Sequence, residues 1–177
     1  YWNPAGDALV FQRRNSDLGI ECDRIFVIGR SDATPRQVSN GKGVTTCGYF
    51  LPGGARVLFA STQGLASACP PPIDPSEYQR LGYFWHVFAE YDLWTANLDG
   101  SDLRPLVAEM EYDGQGSPDW STDGRLIAFD AWRASAGESF EQAHVFLVDA
   151  GGGPARDLGD GAIPQVAPTA ARSPTAA

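Results

Sequence analysis

Basic residues are scarce in this sequence: 13 Lys plus Arg stand against 22 Asp plus Glu, a net charge of −9 spread along the chain rather than gathered in blocks. Affinity for nucleic acid rests on neutralising phosphates with Lys and Arg, so nucleic acid is not an expected partner, and an anionic membrane surface is disfavoured too. No apolar run approaches the roughly 18 residues of a membrane-spanning helix. Histidine occurs only at His86 and His144, and no GxSxG elbow is present. A nucleophile, its base and an orienting group therefore cannot be assembled from spacing, and neither an enzyme nor a cofactor is expected. The three cysteines, Cys22, Cys47 and Cys69, form no CxxC, which argues against a zinc ribbon or a thioredoxin-like site. Acidic turns such as Asn97 to Asp102 lack the twelve-residue spacing and closing glutamate of a calcium loop, so no metal is expected. Long amphipathic helical periodicity is missing as well; at most Pro75 to Leu81 suits a helical turn.

What the chain does have is repetition. "WNPAGDALVF" from Trp2, "FLPGGARVLF" from Phe50 and "WSTDGRLIAF" from Trp120 each place an aromatic residue nine positions, and a glycine five positions, before a closing phenylalanine. Each reads as a strand, a tight turn closing on glycine and a second strand, because glycine reaches the positive φ of such turns and the flanks are rich in strand formers. A second element follows each: "IFVIGRSDATPRQVSNG" from Ile25, "LWTANLDGSDLRPLVAE" from Leu93 and "VFLVDAGGGPARDLGDG" from Val145. These read as second hairpins that keep an arginine at Arg36, Arg104 and Arg156, whose recurrence at one position suggests a structural role. Two hairpins make a four-stranded antiparallel unit, and three units occupy about 1–41, 44–108 and 113–161. The spacing from Trp2 to Phe50 is 48 residues and from Phe50 to Trp120 is 70. The first value lies near the 40–50 typical of propeller blades; the second is stretched by an insertion over 61–91. The expected fold is all-β, a β-propeller arrangement of three such units plus the start of a fourth.

The quoted "WSTDGRLIAF", followed by "VFLVDAGGGPARDL", resembles the blade repeat of TolB-like β-propellers, which also occurs in propeller domains of prolyl-oligopeptidase relatives. The resemblance covers nearly the whole chain and is strongest in the third unit. It implies four-stranded blades around an axis, binding at the ends of a central channel, and, in the peptidase relatives, a gate or scaffold whose nucleophile lies in a separate domain.

On this frame, Trp2, Phe11, Phe50, Phe59, Trp120 and Phe129 are the expected blade core. Cys22 and Cys69 fall in second-to-third-strand connections of neighbouring units, on one face of the propeller, and are the expected disulfide, with Cys47 a free thiol in a first strand. The insertion offers Tyr83, Phe84, Trp85 and His86 as a recognition surface, against the alternative that they fold onto their own blade. The first unit begins abruptly at Tyr1 and lacks most of its first strand, whereas Ala162, Ile163, Pro164, Gln165, Val166 and Ala167 resemble the start of a further unit. This reads either as a fragment of a longer propeller or as a subunit completed by another chain through strand donation, giving a ring or a filament. The expected function is a non-catalytic scaffold, binding a protein partner or copies of itself, in an extracellular or periplasmic setting. The alternatives are a self-assembling structural subunit and the accessory propeller of a hydrolase. The small, Pro-interrupted residues from Ala167 onward read as an extended tail.

Overall fold

Short runs of β-branched and aromatic residues separated by glycine turns leave this chain few options but antiparallel pairing. The computed structural model describes residues 1–71, 74–82 and 88–167. Its first sheet contains β1 (Ala8–Asn15), β2 (Ile20–Gly29) and β3 (Arg36–Gln37). The second contains β4 (Thr45–Phe50), β5 (Arg56–Ser61), β6 (Asp92–Asn97) and β7 (Arg104–Pro105), in that order across the sheet. The third contains β8 (Gly114–Trp120), β9 (Leu126–Trp132), β10 (His144–Asp149) and β11 (Arg156–Asp160), again in sequence order. The molecule is all-β, an open and incomplete propeller, and among the described residues its α-helix is the short α1 (Pro75–Leu81) in the insertion. Its first blade has three strands; in place of a fourth, Trp2 bridges Leu9, and the Val10 amide donates to the Tyr1 carbonyl at 2.9 Å.

The middle blade is buried on both faces, so its strands do not alternate between wet and dry. Val57 and Phe59 of β5 enter one core with Val10, Ile25 and Val27 of the first blade. Leu58 and Ala60, one residue out of phase, enter a second core with Ile127, Phe129, Phe146 and Val148 of the third blade. The period of two thus sorts neighbouring residues of one strand between two interblade cores.

Two of the expected core residues lie elsewhere. Trp2 is 63% exposed, and Phe11 is only half-buried and belongs to neither core. The reason is directional: Phe59 and Phe129, at the same repeat position as Phe11, each point at the preceding blade, and no described residue forms a blade on that side of Phe11. It stacks instead on Phe26, its cross-strand partner, at 5.9 Å. Phe50, Phe59 and Phe129 are buried, and Trp120 packs half-buried against the second core. The recurrent arginines also differ from expectation. Arg36, Arg104 and Arg156 are all exposed, Arg104 lying 3.9 Å from Asp102, while Arg56 ties strands together through Asn97, Thr95 and Asp102.

Turn glycines set the distance between blades. Gly6, Gly54 and Gly124 share one repeat position and one conformation, with φ of 71°, 73° and 70°. A Cβ at Gly124 would come within 2.4 Å of Pro52 Cβ in the preceding blade, and one at Gly54 would lie 3.6 Å from Pro4. The second hairpins repeat the device: a Cβ at Gly100 would meet the Val38 carbonyl at 3.0 Å, and one at Gly152 the Leu106 carbonyl at 2.5 Å. Gly6 has nothing within 4 Å. Gly124→Ala should therefore cost about 2–3 kcal/mol, from left-handed strain plus the clash, against about 1 kcal/mol for Gly6→Ala, where only strain applies. Chemical denaturation of both variants measures the difference; equal losses would show that Pro52 yields without cost.

The insertion is fastened at its root. The Gly43 amide donates to the Ser67 carbonyl at 2.6 Å, and Thr62 Oγ1 donates to the Ala66 carbonyl at 2.9 Å. Cys22 and Cys69 are joined as a disulfide that ties the first blade to this insertion, and Cys47 is free. Tyr83, Phe84, Trp85 and His86 lie outside the described residues, as does the tail from residue 168.

Candidate functional site

The innermost strands carry a repeated irregularity. The ladder between β4 and β5 slips between Thr46 and Tyr49, and that between β8 and β9 slips between Gly116 and Asp119. At the slips stand Cys47 and Ser117 with φ of 53° and 42°; Ile163, at the matching place in segment 162–167, has φ of 52°. Such bulges bend a strand and re-aim the next side chains. As a result Tyr1, Tyr49, Asp119 and Gln165, which share one repeat position, all line a single axial cavity of about 620 Å³.

The cavity is aromatic on one side. Tyr1 and Tyr49 lie 4.4 Å apart, ring centre to ring centre, and Trp120 meets Tyr49 edge-on at 5.4 Å. The Tyr49 hydroxyl donates to that of Tyr1 at 3.4 Å. Burial, reinforced by this bond, raises the Tyr49 phenol far above its ordinary value, so it stays protonated and keeps its bond to Tyr1. Trp2 stands exposed at the rim.

Segment 162–167 closes the other side. Its Val166 amide donates to Asp119 Oδ2 at 2.7 Å, and its Ile163 amide donates to Asp130 Oδ2 at 2.8 Å. Asp130 sits in β9 with no exposed surface, and burial raises its carboxyl above the usual range despite the Ile163 amide drawing it down. Ala162 to Ala167 therefore lie against their own third blade, held by two carboxylates through backbone donors.

Catalytic groups do not converge here. His144 is 2.9 Å from Asp157 through Nδ1 and 3.0 Å from Asp160 through Nε2, so both ring nitrogens are engaged by carboxylates. Among the described residues no group of three His, Cys, Asp or Glu could hold a metal ion. In the Asn97–Asp102 turn, Asp99 accepts from the amide and hydroxyl of Ser101 at 2.9 and 2.6 Å, the bonding of an ordinary turn. The arrangement is suited to contact and hydrogen bonding.

No protein-family model matches the chain. A tricorn protease homologue of Streptomyces coelicolor is 41% identical over 70 residues, which are 40% of this chain and 5% of that protein. Among solved structures, TolB of Agrobacterium tumefaciens superposes with a TM-score of 0.59 at 18% identity, covering 89% of this chain and 47% of that one. TolB of Acinetobacter baumannii gives 0.59 at 15% identity, covering 89% and 31%. The fold is that of a TolB-type β-propeller. The chain thus spans less than half the length of either TolB structure. The resemblance implied a central channel, but the inner-strand bulges and the residues that line the axial cavity escaped sequence reasoning. Their one written trace is a residue followed by Gly48, Pro118 or Pro164 at the same repeat position.

Proposed function

We propose that this TolB-type chain is a non-catalytic scaffold that binds a protein segment at the axial cavity, outside the cytoplasm. The observation that carries the reading is the set of inner-strand aromatics gathered round one opening, with Trp2 and Tyr1 left exposed at its edge. Exposed aromatics on a rigid frame supply much contact area at low entropic cost, which is where binding energy concentrates. The Cys22–Cys69 bond supports an oxidising compartment. Selection of displayed peptides on the intact protein, followed by tryptophan fluorescence titration, tests it. Selected peptides should perturb the emission and bind Trp2→Ala about tenfold or more weakly. Peptides that bind Trp2→Ala equally well would place the site elsewhere.

A second reading, self-assembly, is favoured by the two open sheet faces. Leu9, Phe11 and Ile28 are only half-buried on the first blade, and Leu126 and Leu158 are exposed on the third. Light scattering with electron imaging distinguishes them: a ring or fibre that grows with concentration supports assembly, and a monomer at all concentrations excludes it. The match to the tricorn homologue supports a third role, as the accessory propeller of a hydrolase.

A further inference from the structure

Behind the axial cavity lies a second one of about 310 Å³, at the small end of the range of about 300–1,000 Å³ for small-molecule sites. Its walls include Tyr91, Trp132 and Phe140, and its floor is opened by the missing side chain of Gly116. A Cβ at Gly116 would stand 3.0 Å from Asp130 Oδ1 and 3.7 and 3.8 Å from two ring carbons of Trp132. The notch therefore has a carboxylate oxygen on one side and an indole ring on the other.

That oxygen is buried and has no hydrogen-bond partner. The Ser117 hydroxyl is near enough to influence the carboxyl but lies outside hydrogen-bonding geometry to Oδ1. Among the described residues no basic side chain pairs with Asp130. The internal repeat shows what is missing. In the first blade the counterpart of Asp130 is Gln12, whose Oε1 accepts from Thr46 Oγ1 at 3.1 Å across the interblade gap. By repeat position the counterpart of Thr46 next to Asp130 is Ala162, which precedes the Ile163 amide bonded to Asp130 Oδ2 and carries no hydroxyl. An acceptor left alone in a buried site costs about 1–3 kcal/mol, and more when it is charged, so a donor brought by a ligand gains what the chain itself forgoes. Aromatic faces beside a carboxylate favour a cation over a neutral donor.

We propose that this notch binds a small primary ammonium carrying a short apolar group, its N–H donating to Asp130 Oδ1 and its apolar part lying along Trp132 and Phe140. The site is separate from the protein-binding reading and does not depend on it. The test is calorimetric titration of the intact protein with phenethylamine, with 2-phenylethanol as the neutral isostere. The amine should bind and the alcohol should bind at least about tenfold more weakly, the ratio a charge-assisted bond supplies. Asp130→Asn should lose about tenfold for the amine, Gly116→Ala should fill the notch and abolish binding, and Ala162→Ser should weaken it by supplying the absent hydroxyl. Thermal melts establish that each variant is folded, and Ala162→Ser, at an exposed position, tests the idea even if a buried variant fails to fold. Equal binding of amine and alcohol, an unchanged Asp130→Asn, or no heat with the wild type at millimolar amine would each overturn the proposal.

Discussion

Replacing Cys22 and Cys69 together by serine is expected to lower Tm by about 10 °C. The bond closes a loop over a sequence separation of 47 residues. Loop-closure entropy of that length amounts to about 4 kcal/mol in the chain-entropy account. For a domain of this size each kcal/mol shifts Tm by about 2–4 °C. The location argues for the full effect. Cys22 is buried at the second core, and Arg24, two residues on, donates to the Gly43 carbonyl and lies 3.5 Å from Cys69 Sγ. Losing the bond therefore frees the insertion from the first blade and loosens the contact between two blades. Differential scanning calorimetry of the double variant, of wild type under reductant, and of Cys47→Ser makes the comparison. The first two should agree, and the third should change little because Cys47 is a free, half-exposed thiol. A shift of less than about 3 °C would mean that the interblade cores hold the insertion without the bond.

How much of this was written in the sequence depends on whether a feature belongs to one blade or to two. The glycine five residues before each phenylalanine is a local requirement of a turn, and Gly6, Gly54 and Gly124 hold one φ throughout. Burial is different, because it belongs to a pair of adjacent blades. Trp2 and Phe11 stand at the repeat positions of Phe50 and Phe59, yet the repeat alone cannot say whether a neighbour covers them. Their surroundings differ, and so does their exposure. The same logic explains Pro52, whose place beneath Gly124 is a contact between blades with no mark in either turn considered alone.

The axial site was the least legible part. A bulge is a one-residue slip in alternation, and short strands such as "TTCGYF" and "GQGSPDW" hold too few residues for the slip to stand out. Only superposing the inner strands shows Cys47, Ser117 and Ile163 at one place with one backbone conformation. Asp130 was visible in principle: a charged residue within the apolar "LIAFDAW" run conflicts with its neighbours. Such a conflict between local pattern and fold marks either a partner or a site. Its Oδ2 has a partner in the Ile163 amide and its Oδ1 has none.

Asp92→Asn should stabilise the protein far more at pH 8 than at pH 5. Asp92 opens β6 at the repeat position held by Arg24 in the first blade and His144 in the third. Arg24 donates to backbone carbonyls and His144 pairs with two carboxylates, but among the described residues no basic side chain pairs with Asp92. Burial raises its carboxyl to about 7, and the negative charge of Asp113 adds to the rise. The folded chain therefore holds this proton over a range in which the unfolded chain has released it. With the unfolded state binding fewer protons between about pH 4 and 7, stability falls as pH rises through that window. The loss is up to about 4 kcal/mol at 1.36 kcal/mol per pKa unit. Burial displaces Asp130 in the same direction. Asp123, Asp157 and Glu138 are lowered by hydrogen bonds, and their contributions are lost only as pH falls below the ordinary carboxylate range. The two sets together put the decline on the alkaline side to the raised pair and the acid decline to the lowered carboxylates. An asparagine at 92 carries no charge to bury, so the variant should lose most of the decline between pH 5 and 8. Guanidinium unfolding at the two pH values reads it directly. Parallel pH dependence in wild type and variant would mean that solvent reaches Asp92 well enough to keep it an ordinary carboxylate.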